Sequence, residues 1–190
     1  MVNKNYLSAS QLYVESFDLA YKIFRDGCRP DYIVGVWRGG APVGIIVQEL
    51  LHYLGVPSDH ISIRTSSYKG IDKRGKEIQV HGLGYLVKNV NAYNNLLIVD
   101  DVWETGLSMQ KIESQISKYC RRNTPHIETA TIYYKPKKNQ TSLKPKYYLY
   151  ETDDWIVFPH ELEGLTIDEI TKNKRDIGHT LKDLVKDLVG

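Results

Sequence analysis

The sequence predicts an α/β fold: a central parallel sheet flanked by helices, with a C-terminal helix. Three observations carry the sheet. Tyr32 to Trp37 and Leu96 to Val99 are short runs apolar on successive residues, the pattern of strands buried on both faces. Segments of helical periodicity alternate with these runs, as in a sheet whose strands are joined by crossover helices. The chain has 190 residues, 42% hydrophobic and 25% charged, enough for one complete core with an appendage and too apolar for wholesale disorder.

Taken in order, Ser8 and Gln11 have capping-box spacing, and Leu12, Phe17, Ala20, Tyr21 and Phe24 follow on one stripe up to Gly27. They predict an amphipathic helix over about residues 9–26. The strand at Tyr32 to Trp37 is interrupted by Arg38-Gly39-Gly40, and Ala41 to Leu54 reads as a second helix ended by Gly55. A short strand is expected near Ile61 to Thr65, then a long loop over the polar stretch Ser66 to Glu77. Ile78 to Tyr85 has strand character. The strand Leu96 to Val99 runs into Asp100-Asp101 and a helix from about Gly106 to Cys120. Further strands are expected at Thr129 to Tyr134, Tyr147 to Tyr150 and Ile156 to Phe158. Ile177, Leu181, Leu184, Val185 and Leu188 mark a C-terminal amphipathic helix.

Composition excludes several classes. Cys28 and Cys120 are far apart and in no ligand-like grouping, which argues against a disulfide framework and a zinc site and favours a reducing compartment. Neither a secretion signal nor an apolar run long enough to span a membrane is found, so a cytoplasmic protein is expected. The six histidines form no HxxxH or HExxH pattern. Lys135, Lys137, Lys138, Lys144 and Lys146 make a basic connector, read as a solvated loop because no aromatics interleave to form a nucleic-acid stacking platform. The formal charge of +2, from 25 basic and 23 acidic residues, averages over segregated segments: acids at 100–104 and 151–163, bases at 64–77 and 135–146.

The most informative segment is Leu96 to Ser108, LLIVDDVWETGLS. A buried strand delivers two acids to its carboxyl end, where ligands of α/β sheets bind, and a Thr-Gly-x-Ser turn then opens a helix. Backbone amides around Thr105, Gly106, Leu107 and Ser108, with the two hydroxyls, suit an anion such as phosphate. Asp100 and Asp101 suit ribose hydroxyls or a Mg²⁺ that bridges to phosphate oxygens.

This segment resembles the phosphoribosyl-diphosphate signature of the type I phosphoribosyltransferases: two acids, two variable residues, then Asp-Thr-Gly-x-Ser/Thr. Other segments match in order, most like the purine (xanthine-guanine and hypoxanthine) enzymes. VGVWRGG at Val34 to Gly40 is similar to the pyrophosphate loop, with Arg38 and Gly39 at the phosphates. Ser66-Ser67-Tyr68 resembles the start of the catalytic loop, which assigns Ser67 and Tyr68 to the donor and Arg74 to pyrophosphate. Tyr134-Lys135-Pro136 resembles the segment whose lysine donates to the purine 6-oxo group. Asp154 to Glu161 resembles the base-binding segment, implying that Trp155 stacks on the purine and the Ile156 backbone reads its edge. Glu161 matches an acidic metal-holding position, alongside Asp101.

The resemblance covers about Tyr32 to Glu161. It implies residues 1–163 as the phosphoribosyltransferase domain, with N-terminal helix and hood, and 164–190 as a helical extension. The implied activity is Mg²⁺-dependent transfer of 5-phosphoribosyl from its 1-diphosphate to N9 of a 6-oxopurine, in a homodimer or homotetramer engaging neither nucleic acid nor membrane. The other reading is a regulator that senses the donor and binds nucleic acid. One departure stands out: similar enzymes usually carry Asp where this chain has Glu104, the group facing purine N7. The extra methylene moves the carboxylate by more than about 1 Å, on the order of a displacement that harms catalysis.

Overall fold

In the computed structural model, residues 4–69, 76–174, 177, 178, 180, 181 and 183 are described. The elements in chain order are β1 (Lys4–Tyr6), α1 (Ala9–Arg25), β2 (Tyr32–Trp37), α2 (Gly40–Tyr53), β3 (Asp59–Lys69), β4 (Lys76–His81), α3 (Gly84–Asn89), β5 (Asn95–Trp103), α4 (Leu107–Cys120), β6 (His126–Tyr134), β7 (Tyr147–Glu151), β8 (Trp155–Val157) and α5 (Ile167–Asn173). They divide into two units, one of Met1–Leu12 with Asp154–Gly190 and one of Tyr13–Asp153.

In the larger unit the strands follow the order β4-β3-β2-β5-β6-β7. All neighbours are parallel except β3 and β4. Ile33 and Val34 of β2 and Leu96 to Val99 of β5 are at most 1% exposed, so the continuous apolar runs are the central strands that their lack of alternation predicts. Helix α4 adds Met109, Ile112, Ile116 and Cys120 on a single stripe, packed in one cluster with Val34, Leu96, Ile98 and Trp103. Each large side chain buried this way contributes roughly 1.5–3 kcal/mol. No helix among the described residues is long and apolar enough to cross a membrane.

Several expectations change. The stretch 66–77 is not one long loop: β3 continues to Lys69 and pairs antiparallel with β4 from Lys76, and residues 70–75 lie outside the described residues. A strand-rich hairpin tolerates the polar composition because it stands at the edge of the sheet. The expected strand at 78–85 is β4, which ends at His81, and Gly84–Asn89 is helical. On α1 the inward face is Leu12, Glu15, Ser16, Leu19, Ala20 and Ile23, while Tyr21 is exposed and Phe17 and Phe24 are half-buried. A polar pair, the Tyr133 hydroxyl donating to Glu15 at 3.0 Å, explains how an acid occupies that inward face.

In the smaller unit β1 and β8 form a two-stranded parallel sheet. Helix α5 begins with a full capping box: Glu169 N–H donates to Thr166 Oγ1 at 3.2 Å, and Thr166 N–H donates to Glu169 Oε2 at 2.9 Å. The Lys4 ammonium bonds Glu169 Oε1 at 2.6 Å and, with the cap, holds that carboxyl down at about 2. Of the C-terminal helix, Ile177, Gly178, Thr180, Leu181 and Asp183 have helical backbone; its other predicted positions lie outside the described residues.

Candidate active site

The carboxyl ends of β2, β5 and β6 bring three separate sequence segments together. The pyrophosphate-type loop after β2 approaches the acids of β5 so closely that a Cβ on Gly39 would overlap the Asp101 carboxylate, and one on Gly40 would overlap the Val99 carbonyl. Only glycine permits that approach. The Trp37–Arg38 peptide is cis, and Arg38 is exposed.

Asp100 Oδ1 accepts the Asp101 amide at 3.0 Å, and Asp101 Oδ1 accepts the Val102 amide at 2.8 Å. Burial, then the charge of Asp101, drives the Asp100 carboxyl well above the ordinary range, outweighing the amides that favour its ionised form. Its register partner on β6, Thr131, has a buried hydroxyl without a hydrogen-bond partner among the described residues. Two adjacent acids and an unsatisfied hydroxyl are costly to maintain in a protein interior.

The Thr105 to Ser108 turn follows directly. Gly106 has φ 76°, and a Cβ there would meet Asn139 Oδ1 at 2.5 Å, Thr141 Oγ1 at 2.6 Å and Trp103 Nε1 at 2.8 Å. Leu107 N–H has a long contact of 3.4 Å to Thr105 Oγ1, while Thr105 and Ser108 are partly exposed at the start of α4. The Thr105 carbonyl accepts Gln140 N–H at 2.9 Å, tying the turn to the connector after β6.

Glu104 sits beneath two lysines of that connector. Lys138 Nζ donates to Oε1 at 2.8 Å and Lys135 Nζ to Oε2 at 3.4 Å. Burial alone would raise the Glu104 carboxyl, but the Lys138 hydrogen bond and the Lys135 charge outweigh it and hold the group below its ordinary value. Lys135 is only 3% exposed, so it is not the solvated charge expected of a loop. Its amide donates to the Trp103 carbonyl at 2.9 Å, continuing the β5–β6 ladder beyond the last strand residue. Two other lysines of the connector are paired but exposed: Lys137 with Asp153 and Lys146 with Glu128.

In the other unit, Trp155 is 42% exposed with the Lys4 ammonium 5.2 Å from the centre of its ring, and Ile156 is buried. Glu161 Oε2 accepts the Phe158 amide at 3.2 Å. Ser67 and Tyr68 fall on β3, and Arg74 lies outside the described residues. No cluster of three or more metal-ligating side chains occurs among the described residues.

The family model for the phosphoribosyl transferase domain matches residues 2–165. The chain belongs to this family. A purine phosphoribosyltransferase from Pyrococcus horikoshii shares 31% identity over 86% of this chain and 97% of its own, with a TM-score of 0.67. A xanthine-guanine-hypoxanthine phosphoribosyltransferase from Helicobacter pylori is similar in fold, at 17% identity over 85% of this chain and 96% of its own, TM-score 0.67. So is a Neisseria gonorrhoeae protein solved with bound ppGpp, at 18% identity over 93% of this chain and 98% of its own, TM-score 0.70. No curated protein sequence matches.

Sequence reasoning about this phosphoribosyl transferase domain missed Lys138 and Asn139. Asn139 accepts Trp103 Nε1–H at 3.3 Å and donates to the Leu143 carbonyl at 2.7 Å, fixing the connector beside the Thr105 to Ser108 turn. The available signal was Lys135-Pro136-x-Lys138: a proline-initiated turn with two bases at i and i+3.

Proposed function

We propose that the chain transfers the 5-phosphoribosyl group from 5-phosphoribosyl 1-diphosphate to N9 of a 6-oxopurine, hypoxanthine, guanine or xanthine, releasing pyrophosphate. The observation that carries this reading is the pairing of Lys135 with Glu104, 31 residues apart in sequence, directly ahead of the donor turn. A donor for a ring carbonyl and an acceptor for a ring proton thus stand side by side where a base would meet the sugar.

In this mechanism Arg38, Gly39 and the amides of the Thr105 to Ser108 turn bind phosphate oxygens, and Asp100 and Asp101 hold ribose hydroxyls. As the bond from C1 to pyrophosphate loosens, negative charge collects on the leaving group and is stabilised by Arg38, Arg74 and backbone amides. Lys135 donates to the purine 6-oxo oxygen, and ionised Glu104 favours loss of the purine proton as N9 attacks. Trp155 offers its half-exposed ring for stacking, with the Lys4 ammonium on that ring. The Ile156 backbone reads the purine edge, and Ser67 and Tyr68 extend the donor site.

Mg²⁺ fits the hard oxygen donors of this site: burial and then the charge of Asp101 raise Asp100, and a dication would offset both. Asp101 would hold it, and it would supply charge neutralisation at the pyrophosphate; Glu161 is a candidate on the family resemblance alone. Cytoplasmic location and a homodimer or homotetramer belong to the same proposal. The regulator reading requires a basic surface for nucleic acid, and the pairing of Lys135, Lys137, Lys138 and Lys146 with acids weakens one such surface.

Incubating the protein with Mg²⁺, donor and each candidate base while following pyrophosphate release tests the proposal. Release with at least one 6-oxopurine is expected, and no release with hypoxanthine, guanine or xanthine overturns it.

A further inference from the structure

We propose that Lys138 is the positioning residue for Glu104, holding its carboxylate in place when Lys135 turns to the purine carbonyl. The inference rests on the transfer reading above and concerns a residue outside the motifs that suggested it.

Two ammonium groups share one carboxylate, but unequally. The 2.8 Å contact of Lys138 has the length of a full charge-assisted hydrogen bond, whereas the 3.4 Å contact of Lys135 is at the edge of one. The looser partner is the one with a second task. Lys135 is nearly buried, and on the transfer reading it is the group that exchanges Glu104 for the 6-oxo oxygen. Lys138 remains on Oε1.

The backbone makes this division of labour specific. Pro136–Lys138 forms a 3-10 turn, and Lys138 N–H donates to the Lys135 carbonyl at 3.1 Å. Residues three apart on such a turn share a face, so both ammonium groups are delivered to the same carboxylate. On the far side the turn is held by Asn139 on Trp103 and by Gln140 N–H on the Thr105 carbonyl. Lys138 is therefore fixed relative to the strand end that carries Glu104. A glutamate has one more rotatable bond than an aspartate and loses more side-chain entropy when ordered. A second cation on Oε1 supplies the restraint that the longer side chain requires.

Without Lys138, Glu104 would lean on Lys135, and the purine would have to break that pair before binding. In Lys138→Met, KM for the base is expected to rise and kcat to fall, each about tenfold, with KM for the donor unchanged. Lys138→Arg restores most of both. Wild-type base KM and kcat in the Met variant overturn the proposal, as does an Arg variant as impaired as the Met variant.

A readout without turnover separates this inference from the transfer reading. Carboxyl ¹³C resonances of labelled Glu104 are titrated in ligand-free wild type and Lys138→Met. Titration at higher pH in the variant supports Lys138 as the group holding Glu104, even if wild type releases no pyrophosphate and the transfer reading falls. An unchanged titration overturns the positioning role, even if transfer activity is present.

Discussion

The two ends of the larger unit's sheet handle charge in opposite ways. At the amino end, Glu128 on β6 accepts from Lys146, from Tyr147 at 3.3 Å and from His126 at 3.3 Å, and Tyr147 also donates to Asp26 at 3.0 Å. Unlike groups face one another, Glu128 is held down at about 2, and burial followed by Glu128 pushes the Cys28 thiol up to about 12. The thiol there is protonated and inert. At the carboxyl end, beside the paired Glu104, like groups adjoin: burial and then the charge of Asp101 raise Asp100, and the Thr131 hydroxyl has no hydrogen-bond partner among the described residues. One end is complete as folded, and the other is arranged for something that arrives. The difference locates function more sharply than cavity size does, since a cavity of about 250 Å³ lies at the complete end, lined by Asp26, Cys28, Glu128 and Lys146.

The largest effect expected from this contrast is at Glu104. Glu104→Gln keeps the hydrogen-bonding shape but removes the charge, and turnover should drop on the order of 10²- to 10⁴-fold with donor affinity unchanged. Pyrophosphate-release kinetics and donor titration calorimetry measure the two halves, and undiminished turnover would remove Glu104 from the mechanism. Glu128→Gln is the matching change at the amino end. Half-exposed Lys146 screens the interaction, so it should cost only about 1–2 kcal/mol of stability in urea unfolding at pH 7, with kcat intact. Because the Glu128 carboxyl is depressed from 4.5 to about 2, its stabilisation is present above the ordinary value and is lost as pH falls through about 2. The variant should therefore lose less stability than wild type between pH 5 and pH 2.

Asp100→Asn sharpens the comparison from the other side. Removing one of two adjoining acids should raise Tm by roughly 2–4 °C while weakening donor binding, a stability gain at the expense of function. A lower Tm in thermal unfolding would mean that the acid pair is satisfied as folded. The smallest effect is expected at Lys137, which is largely exposed and paired with half-exposed Asp153. Lys137→Met should leave both Tm and kcat within error, because an exposed pair contributes little.

Much of the site was legible in the chain. Asp100, Asp101 and the Thr105 to Ser108 turn stand in one segment whose chemistry follows from local order: apolar strand, acids, glycine turn, helix. The close approach of Gly39 to Asp101 was legible only as two glycines after a strand, since the distance depends on how β2 and β5 align. The basic connector is exposed as expected at Lys137, Lys138, Lys144 and Lys146, and departs only at Lys135. Its composition reads as solvated, but Lys135 is buried because the β6 register carries it past Trp103, and no local pattern encodes a register. In the smaller unit, the Thr166 and Glu169 capping box was visible at three-residue spacing and belongs to a helix that periodicity alone did not mark.

By itself, the sequence determined the strand runs, the α4 stripe, the acid pair and the Thr105 to Ser108 turn, because each depends on residues within a few positions of one another. Tertiary structure decided the edge hairpin at β3 and β4, the polar inward face of α1 and the two lysines on Glu104. The hairpin depends on a register that composition does not encode, and the other two depend on partners dozens of residues away, whose burial and charge become defined only when the strands pair.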